Sequence, residues 1–407
     1  MAEQTCIIIG ASHAAAQLAP SLRQQGWEGR IIVIGDEPYA PYHRPPLSKA
    51  FLSGEKDVDG LLIRPAAIYE KNNIEFKLGA RVEHIDRAHK TVTLQSGEVL
   101  NYDKLALCTG SRVRKVTLPG TDLSGVHYLR DIGDVEGIKQ HVAEGKKAVI
   151  VGGGYIGLET ASVLNKLGMD VTVLEMAPRV LARVTAPELS EFYTRVHTDE
   201  GVTIKTGIAV SGLEGNGHVE KVLCADGSHF DADLVVIGVG IIPNVELAEA
   251  AGLEVDNGII VDEFARTSDP DIVAAGDVSN HPNKYYNRRL RLESVPNATD
   301  QAKSAAASIC GKDVEYNSLP WFWSDQYDLK LQIAGLSQGY DQVVIRGDRN
   351  SRSFAAFYLQ EGKLISADCV NRPQEFMISK RLIAEQIPVD AEKLADESIA
   401  PKELLTA

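Results

Sequence analysis

Hydrophobic and polar positions along this chain fall into one arrangement that occurs twice. Cys6–Ile9 is a short apolar run, followed by a small-residue turn, an amphipathic pattern over about Ala14–Gln25, a second apolar run at Ile31–Ile34 and an acid. Ala148 to Glu175 repeats it as AVIV, a glycine turn, a helical pattern and VTVLE. Unbroken apolar runs joined through a helix predict parallel strands covered on both faces. Alternation at Val82–Ile85 and Thr91–Leu94 predicts antiparallel strands, and Leu105–Thr109 a further buried strand. Meander-like strands are expected at Val202–Lys205, Lys221–Cys224 and Leu234–Ile237. The loop GDEPYAPYHRPPLSK carries Pro38, Pro41, Pro45 and Pro46, which exclude regular structure and stiffen it for presenting groups to a ligand.

These patterns divide the chain. A turn-rich stretch, TLPGTDLSG, separates a first nucleotide-binding domain from a second, which runs over about 116–237. The chain then returns to the first domain with TSDPDIVAAGD and a helix near Asn297–Ile309. The first domain is therefore discontinuous, 1–115 and 238–314. From 315 to 407 the runs LKLQIAG, DQVVIRG, SFAAFYLQ and LISADCV read as antiparallel strands before a helical RPQEFMISKRLIAE. The expected fold is α/β, with two Rossmann-like dinucleotide-binding domains and an α+β C-terminal domain.

Composition narrows the setting. The 407 residues carry a net charge of −14, which repels phosphate backbones and argues against nucleic acid as a partner. No run approaches the ~18 apolar residues of a membrane span, and MAEQT lacks the basic segment of a signal peptide. Five cysteines, odd in number and scattered, fit neither a disulfide framework nor a metal site and point to a reducing cytoplasm.

The turns carry the chemistry. In the second block Gly152, Gly154 and Gly157 occupy the three glycine positions of a dinucleotide fingerprint: tight turn, backbone approach to a pyrophosphate, and close helix–strand contact. Glu175 lies about 20 residues on, where a carboxylate accepts from a ribose 2′-hydroxyl and repels a 2′-phosphate. This site is expected to prefer NAD(H), with Arg179 and Arg183 close enough to soften the preference. The first block departs from the pattern. Gly10 is present, but Ser12 and Ala15 stand at the second and third glycine positions, with Asp36 as the ribose-binding acid by spacing. TSDPDIVAAGD places Asp277 at a strand end, beside the cofactor crevice of an open sheet.

The ordered set G-x-S-x-x-A, RPPLSK, CTGSR, GGGYIGLE, TSDPDIVAAGD, ESVPNA and PWFWSDQYDLKLQ resembles the NADH-dependent ferredoxin reductases that serve oxygenases. This is the family of putidaredoxin reductase, rubredoxin reductases and dioxygenase ferredoxin reductases, and the likeness is strongest to putidaredoxin reductase. It extends from about residue 5 to 405. It implies FAD contacts at Ala14, Asp36, Lys49, Val82, Arg130, Asp277 and Val295. It also pairs Lys49 with Glu159 across the flavin–nicotinamide junction. Trp323 reads equally as a neighbour of the flavin ring and as plain core.

The resemblance also bears on where electrons leave. A disulfide-reducing branch needs a cysteine pair on the first helix, and none is there; an oxidase branch needs a cysteine at position 43, and His43 occupies it. The expected acceptor is a [2Fe-2S] ferredoxin feeding a cytochrome P-450 type monooxygenase. Rubredoxin or a dioxygenase ferredoxin is the alternative acceptor, and an NADH-sensing flavoprotein like apoptosis-inducing factor the alternative class. An acidic enzyme with an acidic carrier needs a local basic dock. Arg64, Arg288, Arg289, Lys303, Lys380 and Arg381 are its candidates.

Overall fold

A computed structural model describes residues 4–405. Two units are distinguishable: the described residues of Met1–His43 with Asp59–Arg112 and Ile241–Pro320, and Arg44–Val58 with Val113–Gly240 and the described residues of Trp321–Ala407.

The first unit is built on a five-stranded parallel sheet in the order Ile272–Ala274, Lys104–Leu107, Thr5–Ile9, Arg30–Ile34, Ile74–Lys77. Successive side chains point to opposite faces of a strand. Cys6 and Ile8 accordingly join one buried cluster with Ala15, Leu18, Ala19, Ala302 and Ala305, and Ile7 and Ile9 another with Val82, Ile85, Val92 and Leu94. The first face is covered by the helices His13–Gln25 and Val295–Ile309, whose alanines let them pack closely. The second is covered by the antiparallel strands Val82–Asp86, Thr91–Leu94 and Val99–Asn101. Pro20 sits inside His13–Gln25 and cannot donate to the Ala16 carbonyl. Arg64 Nη1 donates to that oxygen instead, at 2.5 Å.

The second unit repeats the plan. Its parallel sheet runs Thr203–Thr206, Asp170–Glu175, Lys147–Val151, Leu234–Ile237, Val126–His127. Thr203–Thr206 and Leu234–Ile237, expected in a meander, are thus strands of the parallel sheet; Lys221–Cys224 lies in the three-stranded antiparallel sheet. Four-residue apolar runs fit either setting, and pairing decides between them. The C-terminal segment forms an antiparallel sheet in the order Trp321–Gln326, Leu329–Gly335, Lys363–Val370, Phe354–Gln360, Gln342–Arg346, with the helix Pro373–Ala384 against it. Phe354 meets Phe192 of the helix Pro187–Asp199 edge-on at 4.9 Å.

The proline-rich loop differs from expectation in one place. Pro45–Ser48 forms a single 3-10 turn. Prolines preset φ for a first helical turn, where their missing N–H has no partner to lose. Lys49 follows as its C-terminal residue.

Candidate active site

Each dinucleotide turn contains a glycine corner closed to side chains. Gly10 ends its strand at φ +106°, and a Cβ there would stand 2.1 Å from the Cys108 carbonyl oxygen. Gly152 has φ +115°, with the Gly238 carbonyl oxygen 2.3 Å from the corresponding point. At Gly157 a Cβ would meet the Gly152 carbonyl at 2.2 Å, so only glycine lets the helix close on the turn. A Cβ at Gly154 would meet no other part of the protein within 4 Å. This open backbone caps the helix Tyr155–Lys166, whose first N–H groups have no partner within the helix. Its shape and polarity fit the pyrophosphate of a dinucleotide.

In the first unit, Ser12 is the N-cap of His13–Gln25 in extended backbone, and Ala14 is buried in its first turn. Gly276, at φ +88°, has Ala14 Cβ and Ala298 Cβ at 3.4 and 3.6 Å from where its own Cβ would be, so both helices converge on it. Asp277 follows and accepts from Ser111 Oγ at 2.9 Å. Val295 is the first residue of its helix, capped by Ser294, whose Oγ accepts from the Asn297 amide at 3.3 Å. Asp36 is exposed beyond Arg30–Ile34, and Val82 opens a strand. The Gly10 turn, Ala14, Asp277 and the start of Val295–Ile309 thus belong to elements that share one sheet face.

In the second unit, Glu175 closes its strand with both oxygens engaged, accepting from the Gly153 amide at 2.6 Å and the Ala177 amide at 2.7 Å. Arg179 turns away from it. Its guanidinium donates to Thr185 O at 2.8 Å, Ser190 Oγ at 2.6 Å and Ala182 O at 3.0 Å, while Arg183 is exposed. Arg130 precedes the helix Ile132–Lys139, its carbonyl accepting from Arg44 Nη1 at 2.8 Å.

Lys49 and Glu159 form a direct ion pair, Nζ to Oε2 at 2.6 Å, with side chains 20% and 5% exposed. Lys49 also donates to Pro45 O at 3.1 Å and Ser48 Oγ at 3.4 Å, so its three protons are all spoken for. Glu159 accepts further from Ser48 Oγ at 2.7 Å and Ser324 Oγ at 2.6 Å. Sequence reading found Lys49 and Glu159 but neither serine. Period-2 alternation in Trp321–Gln326 turns Phe322, Ser324 and Gln326 to one face and Trp321, Trp323 and Asp325 to the other. Phe322 lies 5.1 Å from Tyr155, one helical turn before Glu159, so helix and strand match contact for contact. Trp323 is half-buried beside Trp321, ring centres 5.6 Å apart, on the side away from Ser324.

A second buried carboxylate, Asp368, accepts from Thr185 Oγ1 and Tyr358 OH, both at 2.6 Å, and burial pushes it up to about 6. The five cysteines are free thiols. Burial pushes Cys108 up to about 12 and raises the other four, so none is poised as a thiolate.

A family model described as pyridine nucleotide-disulphide oxidoreductase matches residues 4–302, and one described as reductase C-terminal matches 321–405. The chain belongs to the pyridine nucleotide-disulphide oxidoreductase family. It is 44% identical to putidaredoxin reductase of Pseudomonas putida over 412 residues, covering 100% of this chain and 98% of the relative. A probable ferredoxin reductase of Castellaniella defragrans is 44% identical over 400 residues, covering 98% of each. Among solved structures, a covalent putidaredoxin reductase–putidaredoxin complex matches with a TM-score of 0.97 and 43% identity, covering 100% of this chain and 99% of that one. The ferredoxin-reductase resemblance read from the motifs is thereby borne out, and so is the fold of two nucleotide-binding domains and a C-terminal α+β domain. The chain is an oxidoreductase of this family without the disulphide of the family's name, since no pair of cysteines accompanies its first nucleotide turn. Among the described residues no helix is long and apolar enough to cross a membrane.

Proposed function

We propose that this protein is an FAD-dependent NADH:ferredoxin oxidoreductase that passes electrons to a [2Fe-2S] ferredoxin serving a cytochrome P-450 type monooxygenase. The observation that carries the reading is the Lys49–Glu159 ion pair, with Glu159 buried one turn into the helix of the second dinucleotide fingerprint, in a chain without a cysteine pair at its first nucleotide turn. FAD, when bound, takes up the two electrons of NADH together and gives them out singly.

The chain's own residues do the rest. Gly10, Ser12, Ala14, Asp36, Val82, Asp277 and Val295 hold FAD from the first unit; Lys49, Arg130 and Trp323, assigned to the same cofactor by resemblance, belong to the second. Gly152, Gly154 and Gly157 seat the NADH pyrophosphate, and Glu175 accepts from its ribose. Glu159 holds Lys49 in place. With every Lys49 proton already given to an oxygen, its ammonium acts through charge, favouring electron density on the flavin, rather than as a proton donor. The domain division at 1–115 with 238–314, 116–237 and 315–407 and a cytoplasmic location complete the proposal, the latter resting on five free cysteines.

The test is anaerobic titration of the flavin-loaded protein with NADH, then rapid mixing with a [2Fe-2S] ferredoxin and, separately, rubredoxin. Bleaching by NADH and fast reduction of the ferredoxin are expected. A spectrum unchanged by NADH refutes the reading, and preference for rubredoxin moves the acceptor to the alternative.

A further inference from the structure

The Glu159 carboxylate terminates a chain of four hydrogen-bonding contacts. Ser324 Oγ–H reaches Glu159 Oε1 at 2.6 Å, Gln326 Nε2 reaches Ser324 Oγ at 3.2 Å, His197 Nε2 lies 2.8 Å from Gln326 Oε1, and Tyr327 OH lies 3.2 Å from His197 Nδ1. The direction follows from the carboxylate. Paired with Lys49, it only accepts, so it takes the single Ser324 proton and leaves that oxygen as an acceptor. Gln326 must then present its amide N–H to Ser324 and its carbonyl to His197. His197 must carry its proton on Nε2, leaving Nδ1 for the Tyr327 hydroxyl.

The middle of this chain is dry. Ser324 and His197 are 0% exposed and Gln326 2%. Apolar side chains are cheaper to bury at such positions, so a fully satisfied polar line through the core calls for a purpose. At the outer end Tyr327 lies in the two-residue turn between the antiparallel strands Trp321–Gln326 and Leu329–Gly335, with the positive φ, +55°, that such turns use. Its hydroxyl reaches the His197 ring, and Lys166 Nζ lies 5.5 Å above its phenol ring. Around them, Arg352 pairs with Glu200 at 2.6 Å and also with Asp328. Burial disfavours the protonated imidazole, outweighing the raising influence of Gln326 and Glu200.

We propose that Ser324, Gln326 and His197 are positioning residues for the reaction, holding the Glu159 carboxylate in the orientation that anchors Lys49 and polarising it through aligned dipoles. Aligned hydrogen bonds strengthen one another in a low-dielectric interior, so loss of a remote link is felt at the carboxylate. The proposal rests on the roles given above to Lys49 and Glu159.

Two measurements on the flavin-loaded protein test it. Long-range 1H–15N correlation of the histidine side chains, with His197 assigned through His197→Gln, is expected to show the Nε2–H tautomer. An Nδ1–H tautomer reverses the chain and overturns the proposal. Rapid-mixing reduction by NADH of Ser324→Ala and Gln326→Leu is expected to give limiting rates lowered about fivefold, with the NADH dissociation constant unchanged within about twofold. Wild-type rates in both variants overturn it too. If Glu159→Gln reduces as fast as wild type, the underlying assignment of Glu159 fails, a result separable from the His197 tautomer.

Discussion

The Gly153 amide donates to Glu175 at 2.6 Å, tying the acid at one strand end to the glycine turn at the next. Under the proposed function this carboxylate meets the ribose of the dinucleotide seated on that turn. Arg179, the nearest cation in sequence, is consumed by Thr185, Ser190 and Ala182. A 2′-phosphate would therefore meet a fixed negative charge with Arg179 unable to compensate. Glu175→Ala is expected to lower kcat/KM with NADH about tenfold and to narrow the preference over NADPH, read from steady-state kinetics with both coenzymes. A wild-type protein that used both equally would contradict this account.

Lys49 and Glu159 depend on each other unequally. Lys49→Met leaves the 5%-exposed Glu159 carboxylate with two serine donors and no counter-charge, whereas Glu159→Gln leaves the 20%-exposed ammonium with Pro45 O and Ser48 Oγ. Both are expected to slow reduction by NADH about tenfold or more. Lys49→Met should also destabilise the fold more than Glu159→Gln, because the charge it strands is the more deeply buried of the two. Thermal melts alongside rapid-mixing rates separate the two effects.

Asp368 gives a pH-dependent contribution whose sign follows from linkage. Its folded-state value, pushed up to about 6 by burial, lies above its ordinary 3.8. The folded protein therefore holds the proton more tightly, and stability attributable to this group falls as pH rises from about 4 to 6 and stays low above that. Asp368→Asn is expected to melt near wild type at pH 4. At pH 8 it should gain stability, up to about 3 kcal/mol before hydrogen-bond losses. An equal difference at both pH values would rule out the shifted carboxyl.

Arg64 answers a defect created by Pro20. Its Nη1 donates to the Ala16 carbonyl, and its Nη2 to Gln17 Oε1 at 3.0 Å. Arg64→Ala is expected to cost about 1–3 kcal/mol, by denaturant unfolding, through the orphaned carbonyl. In a Pro20→Ala background, where a backbone N–H is restored, the same change should cost less. A double-mutant cycle without coupling would show the arginine to be incidental. Arg64 is thus occupied within the fold, whatever a partner asks of it.

The remaining basic candidates differ in how far they are committed. Arg289 Nη2 donates to the Val261 and Asn280 carbonyls, Lys303 pairs with Asp300 and Arg381 with Glu385, while Lys380 Nζ sits 5.2 Å over Trp321. Lys380→Glu is expected to raise KM for a [2Fe-2S] ferredoxin several-fold and leave ferricyanide reduction unchanged, the difference shrinking at high salt. Equal effects on both acceptors would place Lys380 outside the docking surface.

The glycine turns and the lack of a cysteine pair on the first helix can be read from the residues alone, whereas the pairing of Lys49 with Glu159 comes from the family resemblance. Each turn depends on local geometry: a glycine where a Cβ would strike a carbonyl 2.1 or 2.3 Å away, or a helix that starts where a phosphate needs N–H groups. The family resemblance rests on the same short, ordered segments. The partners of Glu159 were not legible. Alternation shows that Ser324 and Gln326 share a strand face, but nothing in PWFWSDQ says that this face meets Tyr155–Lys166, 165 residues away from Ser324 at the Glu159 contact. Nor does the helical pattern around His197 reveal that its ring meets the Tyr327 hydroxyl of a hairpin turn, or the sequence near Arg179 that its guanidinium is spent on two carbonyls and a serine hydroxyl. Backbone propensity and turn chemistry act within a few residues and are written along the chain. The burial of a carboxylate, the donors that satisfy it and the direction of their protons arise only when distant segments pack together.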